Sequence, residues 1–137
     1  MAKFKLDSDL GPDVFLIAIS SHVNDYRLCW SLNNSLGLEL CRRSTDIEGQ
    51  GPEQMAYFSA FDHTEEETMA CIRLISNHAP EGVLVADQRQ ADFFLVVDDE
   101  SSLRADETLE RVRKAEFVLT AFTLDLINIK GAYKLLE

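Results

Sequence analysis

Cationic residues are in short supply: 13 Lys and Arg face 24 Asp and Glu, giving a formal net charge of −11. A surface of that sign repels phosphate backbones and anionic lipid, which argues against nucleic-acid and membrane-surface roles. Long apolar runs are missing too. The longest, Val14 to Ile19, is far too short to span a bilayer. Ahead of it, Met1-Ala2-Lys3 leads into alternating residues rather than an apolar stretch, so no signal peptide is expected. Cysteine is sparse and odd in number. Cys29, Cys41 and Cys71 lie far apart inside apolar patterns, which fits reduced core thiols in the cytoplasm better than a disulfide framework. His22, His63 and His78 fall near the ends of elements, and none has a second ligand at metal-binding spacing. Gly49-Gln50-Gly51-Pro52 lacks the lysine of a phosphate loop, and there is no Gly-x-Ser-x-Gly elbow. No metal, cofactor or catalytic set is expected, and the chain reads as non-enzymatic.

What is present suits one globular core. At 137 residues and 46 % apolar, the chain reads as a single α+β domain over 1–137. Lys3-Phe4-Lys5-Leu6-Asp7 alternates with the period of a half-buried strand. Val14 to Ile19 fits an interior strand, with one longer helix from Asp13 as its rival. A helix is expected from about His22 to Leu36, capped by Ser20 or Ser21 and closed by Gly37. Strands are expected at Leu38–Arg42, Met55–Asp62, Glu67–Ser76 and Asp92–Val97, with a brief pairing at Val83–Val85. The predicted fold is therefore a mainly antiparallel sheet of about five or six strands with two principal helices packed on it.

The strongest periodicity lies last. Leu109, Val112, Ala115, Leu119, Phe122, Leu126 and Ile129 recur every three or four residues, predicting a long C-terminal helix from about Leu103 to Lys130. Beyond Phe117 that helix is apolar nearly all round and must be covered on both sides. A bend near Lys114, a covering loop or a symmetric homodimer would each meet that demand. On the dimer reading, Val118, Phe122, Asp125, Leu126 and Ile129 form the interface, with Asp125 and Asn128 either setting its register or facing outward.

The stretch Val85-Ala86-Asp87-Gln88-Arg89-Gln90-Ala91-Asp92-Phe93 resembles the Ile-Pro-Glu-x-x-x-Val-Asp-Tyr signature of the small bacterial IPExxxVDY family. Asp92 is identical; Val85, Asp87, Ala91 and Phe93 are conservative replacements, and Ala86 stands where the family has proline. Leu16 to His22 followed by Asp25 to Asn33 is similar to the family's N-terminal segment, so the resemblance spans essentially the whole chain. It implies positions to watch rather than a mechanism.

Two functional readings follow. In the first, the protein is a cytoplasmic interaction or regulatory protein that forms homodimers and engages another protein. In the second, a small-molecule-binding domain or uncharacterised enzyme uses a pocket between the first helix and the 85–93 loop. Tyr26, Trp30 and Asn33 on the helix, with Asp87 and Asp92 beside the loop, are the candidate contacts. Tyr26 and Trp30, one helical turn apart, suit either a core stack or a recognition face. Asp87 and Asp92 suit either paired carboxylate chemistry or turn formation, with Asp92 accepting backbone hydrogen bonds where its strand begins.

Overall fold

A computed structural model describes residues 13–136. The strand expected at Lys3–Asp7 lies outside them. The centre of the fold is a six-stranded, wholly antiparallel sheet. Its strands are β1 (Val14–Ser20), β2 (Cys41–Arg42), β5 (Ala60–Thr64), β6 (Cys71–Ser76), β9 (Phe93–Asp98) and β10 (Thr120–Leu124). They lie side by side in the order β10-β1-β9-β6-β5-β2. Two small ribbons complete the strands: β3 (Ile47–Gln50) pairs with β4 (Met55–Phe58), and β7 (His78–Ala79) with β8 (Gly82–Val83).

Both faces of this sheet are covered, which explains its apolar runs. Successive strand residues point to opposite faces. In β1, Ile17 and Ile19 join one core while Leu16 and Ala18 join the other. In β9, Phe93, Leu95 and Val97 likewise oppose Phe94 and Val96. A strand wet on one face would alternate; one buried on both reads as a continuous apolar run. That settles Val14–Ser20 as a strand.

The first face carries two helices. Helix α1 (Asp25–Leu36) buries Leu28, Cys29, Leu32 and Leu36 against the sheet. Its cap is Asn24, whose side chain accepts the Arg27 N–H at 3.0 Å, so the helix starts later than His22. Gly37 closes it at φ 69°, a conformation that residues with a Cβ adopt at a cost. Helix α2 (Ala105–Lys114) places Asp106 and Glu107 in its first turn and Arg111, Arg113 and Lys114 in its last, complementing the helix dipole at both ends.

The long C-terminal helix is not formed. Helix α2 stops at Lys114, Phe117 takes a left-handed φ of 75°, and the chain returns as strand β10 alongside β1. Short 3₁₀ turns at Leu126–Asn128 and Ala132–Leu136 follow. The sequence period misled because a short strand that sends apolar residues to both cores, followed by 3₁₀ turns, leaves apolar positions at the same three- and four-residue spacing as a helix. Ala121 faces the helix-side core, while Phe122 and Leu124 face the other. Three serines hold this reversal: Ser21 donates to the Phe117 carbonyl (2.6 Å), Ser31 to Glu116 (2.6 Å) and Ser35 to Arg111 (3.0 Å). They satisfy carbonyls that a helix end and the turn after it leave without intrahelical partners.

The second face is covered without a helix. Ile47, Ala56 and Phe58 from the β3–β4 ribbon, Leu84, Val85 and Ala91, and the C-terminal Ile129, Ala132 and Leu135 pack there together. The backbones meet closely: a Cβ on Gly51 would lie 2.3 Å from the Glu81 carbonyl oxygen, so only glycine fits. No helix among the described residues is long and apolar enough to cross a membrane.

Of the three thiols expected in the core, Cys41 departs furthest. Cys29 is buried, Cys71 half-buried, and Cys41 exposed on strand β2. Burial pushes the Cys29 thiol up to about 11, and burial also raises that of Cys71. Alkylation of the native protein near pH 8, read by peptide mass spectrometry, should label Cys41 first and Cys29 last. Equal labelling of all three would show that the helix-side core is open.

Candidate functional site

The main chain-terminal edge of the sheet holds a polar cleft. Strand β1 ends at Ser20, β6 ends at Ser76 and β9 begins at Phe93; antiparallel pairing brings Ser76 and Ile19 to either side of Phe93. Helix α1 starts at the same edge, so Ser21, Asn24 and Asp25 meet Ser59, Ser76, His78 and Asp92 around a cleft of about 450 Å³.

Two carboxylates are fixed inside it. Asp92 accepts the Ser21 N–H on Oδ2 at 2.9 Å, which pins the end of β1 to the start of β9. This is the strand-entrance role anticipated for Asp92. Asp25 accepts the Tyr26 N–H on Oδ1 (2.8 Å) and the Ser59 hydroxyl on Oδ2 (2.7 Å). The hydroxyls of Ser59 and Ser76 are themselves 2.7 Å apart. An ionised carboxylate only accepts, so the Ser59 proton points to Asp25 and Ser76 donates to Ser59. His78 does not join this chain. Its Nε2 lies 2.9 Å from the Arg89 carbonyl, which it meets as a donor, and 3.8 Å from Asp92 Oδ1. The hydroxyls therefore run toward a carboxylate and not toward an imidazole base. The cleft offers negative charge held by neutral donors, with the half-exposed Tyr57 ring on its wall and the Arg42–Asp46 pair (2.7 Å) opposite.

Of the sequence candidates, Asp92 alone lines the cleft. Asp87 accepts the Lys130 N–H at 3.2 Å, tying the 85–93 stretch to the C-terminal segment. Asn33 is a clamp: its amide accepts from Leu40 N–H (2.8 Å) and donates to Leu40 C=O (3.3 Å), while its own carbonyl receives the Gly37 and Leu38 N–H groups. The four side chains expected to share a pocket, Tyr26, Asn33, Asp87 and Asp92, do not converge.

Tyr26 and Trp30 are not core residues. They stand 60 % and 56 % exposed on the outer face of α1. Tyr26 meets Phe61 edge-on with ring centroids 5.6 Å apart, and its hydroxyl accepts from Arg42 Nη1 at 3.5 Å. Arg42 thus connects the aromatic face of α1 to the cleft, whose wall it also forms.

The residues expected at a dimer seam serve the fold. Val118 packs on the helix-side core, Phe122 and Leu126 pack on the second core, and Ile129 is buried there. Asp125 caps a 3₁₀ turn, accepting from Ile127 N–H and Asn128 Nδ2 at 3.3 Å each. The chain itself supplies the second cover that its apolar pattern demands.

Asn77 is the structural residue the sequence hid. It is fully buried, and its amide donates to the Gln88 and Ala91 carbonyls (2.9 Å each) while accepting the Val85 N–H (2.8 Å). This one side chain makes three of the hydrogen bonds that shape the 85–93 stretch. Nothing in the local pattern signals it, because every partner lies eight or more residues away. Ser59 and Ser76 were missed for the same reason. Their sequence separation of 17 is bridged only by the β5–β6 pairing.

No protein-family model, curated protein or solved structure matches this chain.

Proposed function

We propose that this domain is a protein-binding module of the cytoplasm whose contact surface is the outer face of α1. The observation that carries the reading is the exposure of Trp30 and Tyr26, one turn apart, on a helix whose other face is fully committed to the core. Large aromatics cost little conformational entropy to fix and dominate binding energy at interfaces, so a Trp–Tyr pair left in water supports a binding role. Kinship with the IPExxxVDY family belongs to this proposal as well, resting on the 85–93 stretch and the segment leading into α1.

The test separates binding from folding. Trp30→Ala should leave the unfolding free energy within about 1 kcal/mol of wild type, as surface changes usually do. Stoichiometric capture of a partner from a lysate of the source cells, scored against a mock tag, should be lost in that variant. A loss of stability of about 3–5 kcal/mol would mark Trp30 as a core residue instead. Capture indifferent to Trp30 would remove the α1 face from the proposal.

Self-association is a second reading with its own observation. Strand β10 is the outermost strand on its side among the described residues and carries no charged side chain, and Leu119 and Ile127 (87 % exposed) flank it. Arg113 Nε from α2 donates to the Ala121 carbonyl at 2.8 Å, and the backbone groups of the edge that remain could pair with another strand. Recovery of an untagged copy in the same capture supports self-association, and its loss on Thr123→Lys would assign it to this edge.

A further inference from the structure

The cleft at the start of α1 continues the aromatic face and differs from it in charge. Asp25 and Asp92 line it, their oxygens held by the Ser59 hydroxyl and the Tyr26 and Ser21 N–H groups, all neutral donors. Neither carboxylate meets a lysine or arginine among the described residues; Asp92 Oδ1 lies 3.8 Å from His78 Nε2, which donates to the Arg89 carbonyl instead, and Arg42 is already matched by Asp46. Hydrogen bonds from neutral donors orient a carboxylate and leave its charge intact. In a concave site on a chain of net charge −11, that charge is focused on whatever enters. The Tyr57 ring, 54 % exposed on the wall, adds a face that attracts cations.

We infer that the partner seated on α1 is a basic segment, and that one of its lysine or arginine side chains enters the cleft to meet Asp25 and Asp92. The inference rests on the α1 reading and names the partner's chemistry. Trp30 and Tyr26 take the apolar part of the segment. Arg42, touching Tyr26 and lining the cleft, bridges the two parts of the surface. The stem of a lysine or arginine packs on Val23 and Pro80 while its charged head reaches the carboxylates. Both carboxylates are fixed before the partner arrives, so little ordering remains to be done on binding.

The probe is acetylated, amidated tetralysine added to the ¹⁵N-labelled full chain, with tetraglutamate as the control of opposite charge. The inference expects saturable amide shifts concentrated at Ser21, Asp25, Ser59, Ser76 and Asp92 with tetralysine and none with tetraglutamate. Asp25→Asn with Asp92→Asn removes both charges and keeps one acceptor oxygen on each side chain. That is enough for the Ser21 N–H at Asp92 and the Tyr26 N–H at Asp25, with the Ser59 hydroxyl then accepting from the new amide. The double substitution should weaken tetralysine binding by about tenfold or more. Glu66→Gln with Glu67→Gln, on a separate exposed turn, should leave it unchanged. Shifts spread evenly over the acidic surface of the wild-type chain overturn the inference without recourse to any variant. So does undiminished binding by the folded Asp25→Asn, Asp92→Asn protein. The two readings fail separately. A captured partner that needs Trp30 but not the two carboxylates removes the inference alone. Tetralysine seated in the cleft, with capture indifferent to Trp30, removes the α1 reading and leaves the cleft as a basic side-chain site.

Discussion

Replacing Asn77 with leucine should destabilise the protein by about 3 kcal/mol or more, although the two side chains are similar in size. The change strips the Ala91 carbonyl and the Val85 N–H of their buried side-chain partner and leaves the half-buried Gln88 carbonyl with the Ala91 N–H alone. A buried polar group left unmatched costs about 1–3 kcal/mol, and two are affected; some of that is recovered if the 85–91 loop swings outward into water. The recovery has its own cost, because Val85 and Ala91 would leave the second core and Asp92 would lose its fixed place between Ile19 and Asn77. Against a typical total of about 5–15 kcal/mol, such a loss is easily read as a lower urea midpoint at an unchanged slope. A loss below about 1 kcal/mol would mean that the loop holds its shape without Asn77. The cleft would then owe less to this residue than its hydrogen bonds indicate.

The fold was legible where a local pattern had one physical cause. Val14–Ile19 and Phe93–Val97 are uninterrupted apolar runs because both faces of their strands are buried, and Gly37 ends α1 because a left-handed residue is needed there. Legibility failed where two causes produce one pattern. Apolar positions at three- and four-residue spacing after Lys114 fit a helix, yet they also fit a short strand facing both cores followed by 3₁₀ turns. The choice is made by Ser21, Ser31 and Ser35, which are remote in sequence and hold the α2–β10 reversal. The candidate site was less legible still. The 85–93 stretch drew attention to Asp92, which does line the cleft, but Ser59, Ser76 and His78 arrive there through strand pairing alone. Tyr26 and Trp30 were legible as a pair and not as an exposed one, since the same i, i+4 spacing serves a core stack equally well.

The second large effect should come from Leu135→Ala, expected to cost about 2–5 kcal/mol, the range for truncating a buried leucine. Leu135 is 0 % exposed in the last 3₁₀ turn, packed with Ile129 and Ala132 against the second face of the sheet, and its carbonyl accepts from Arg73 Nη1 at 3.5 Å. If the C-terminal segment folds onto its own sheet, the lost contacts are intramolecular. The unfolding midpoint must then fall by the same amount at every protein concentration. If the segment were instead an apolar element waiting for a second copy, its burial would depend on association. The cost of the substitution would then grow with protein concentration, because only the associated form would feel it. A concentration-independent loss of this size makes the segment the sheet's own cover, so self-association would have to use another surface, such as the edge of β10 with Leu119 and Ile127, outermost among the described residues. A loss under about 1 kcal/mol would show that the second face of the sheet does not depend on the tail, and that the apolar residues after Lys114 are free to seek a partner.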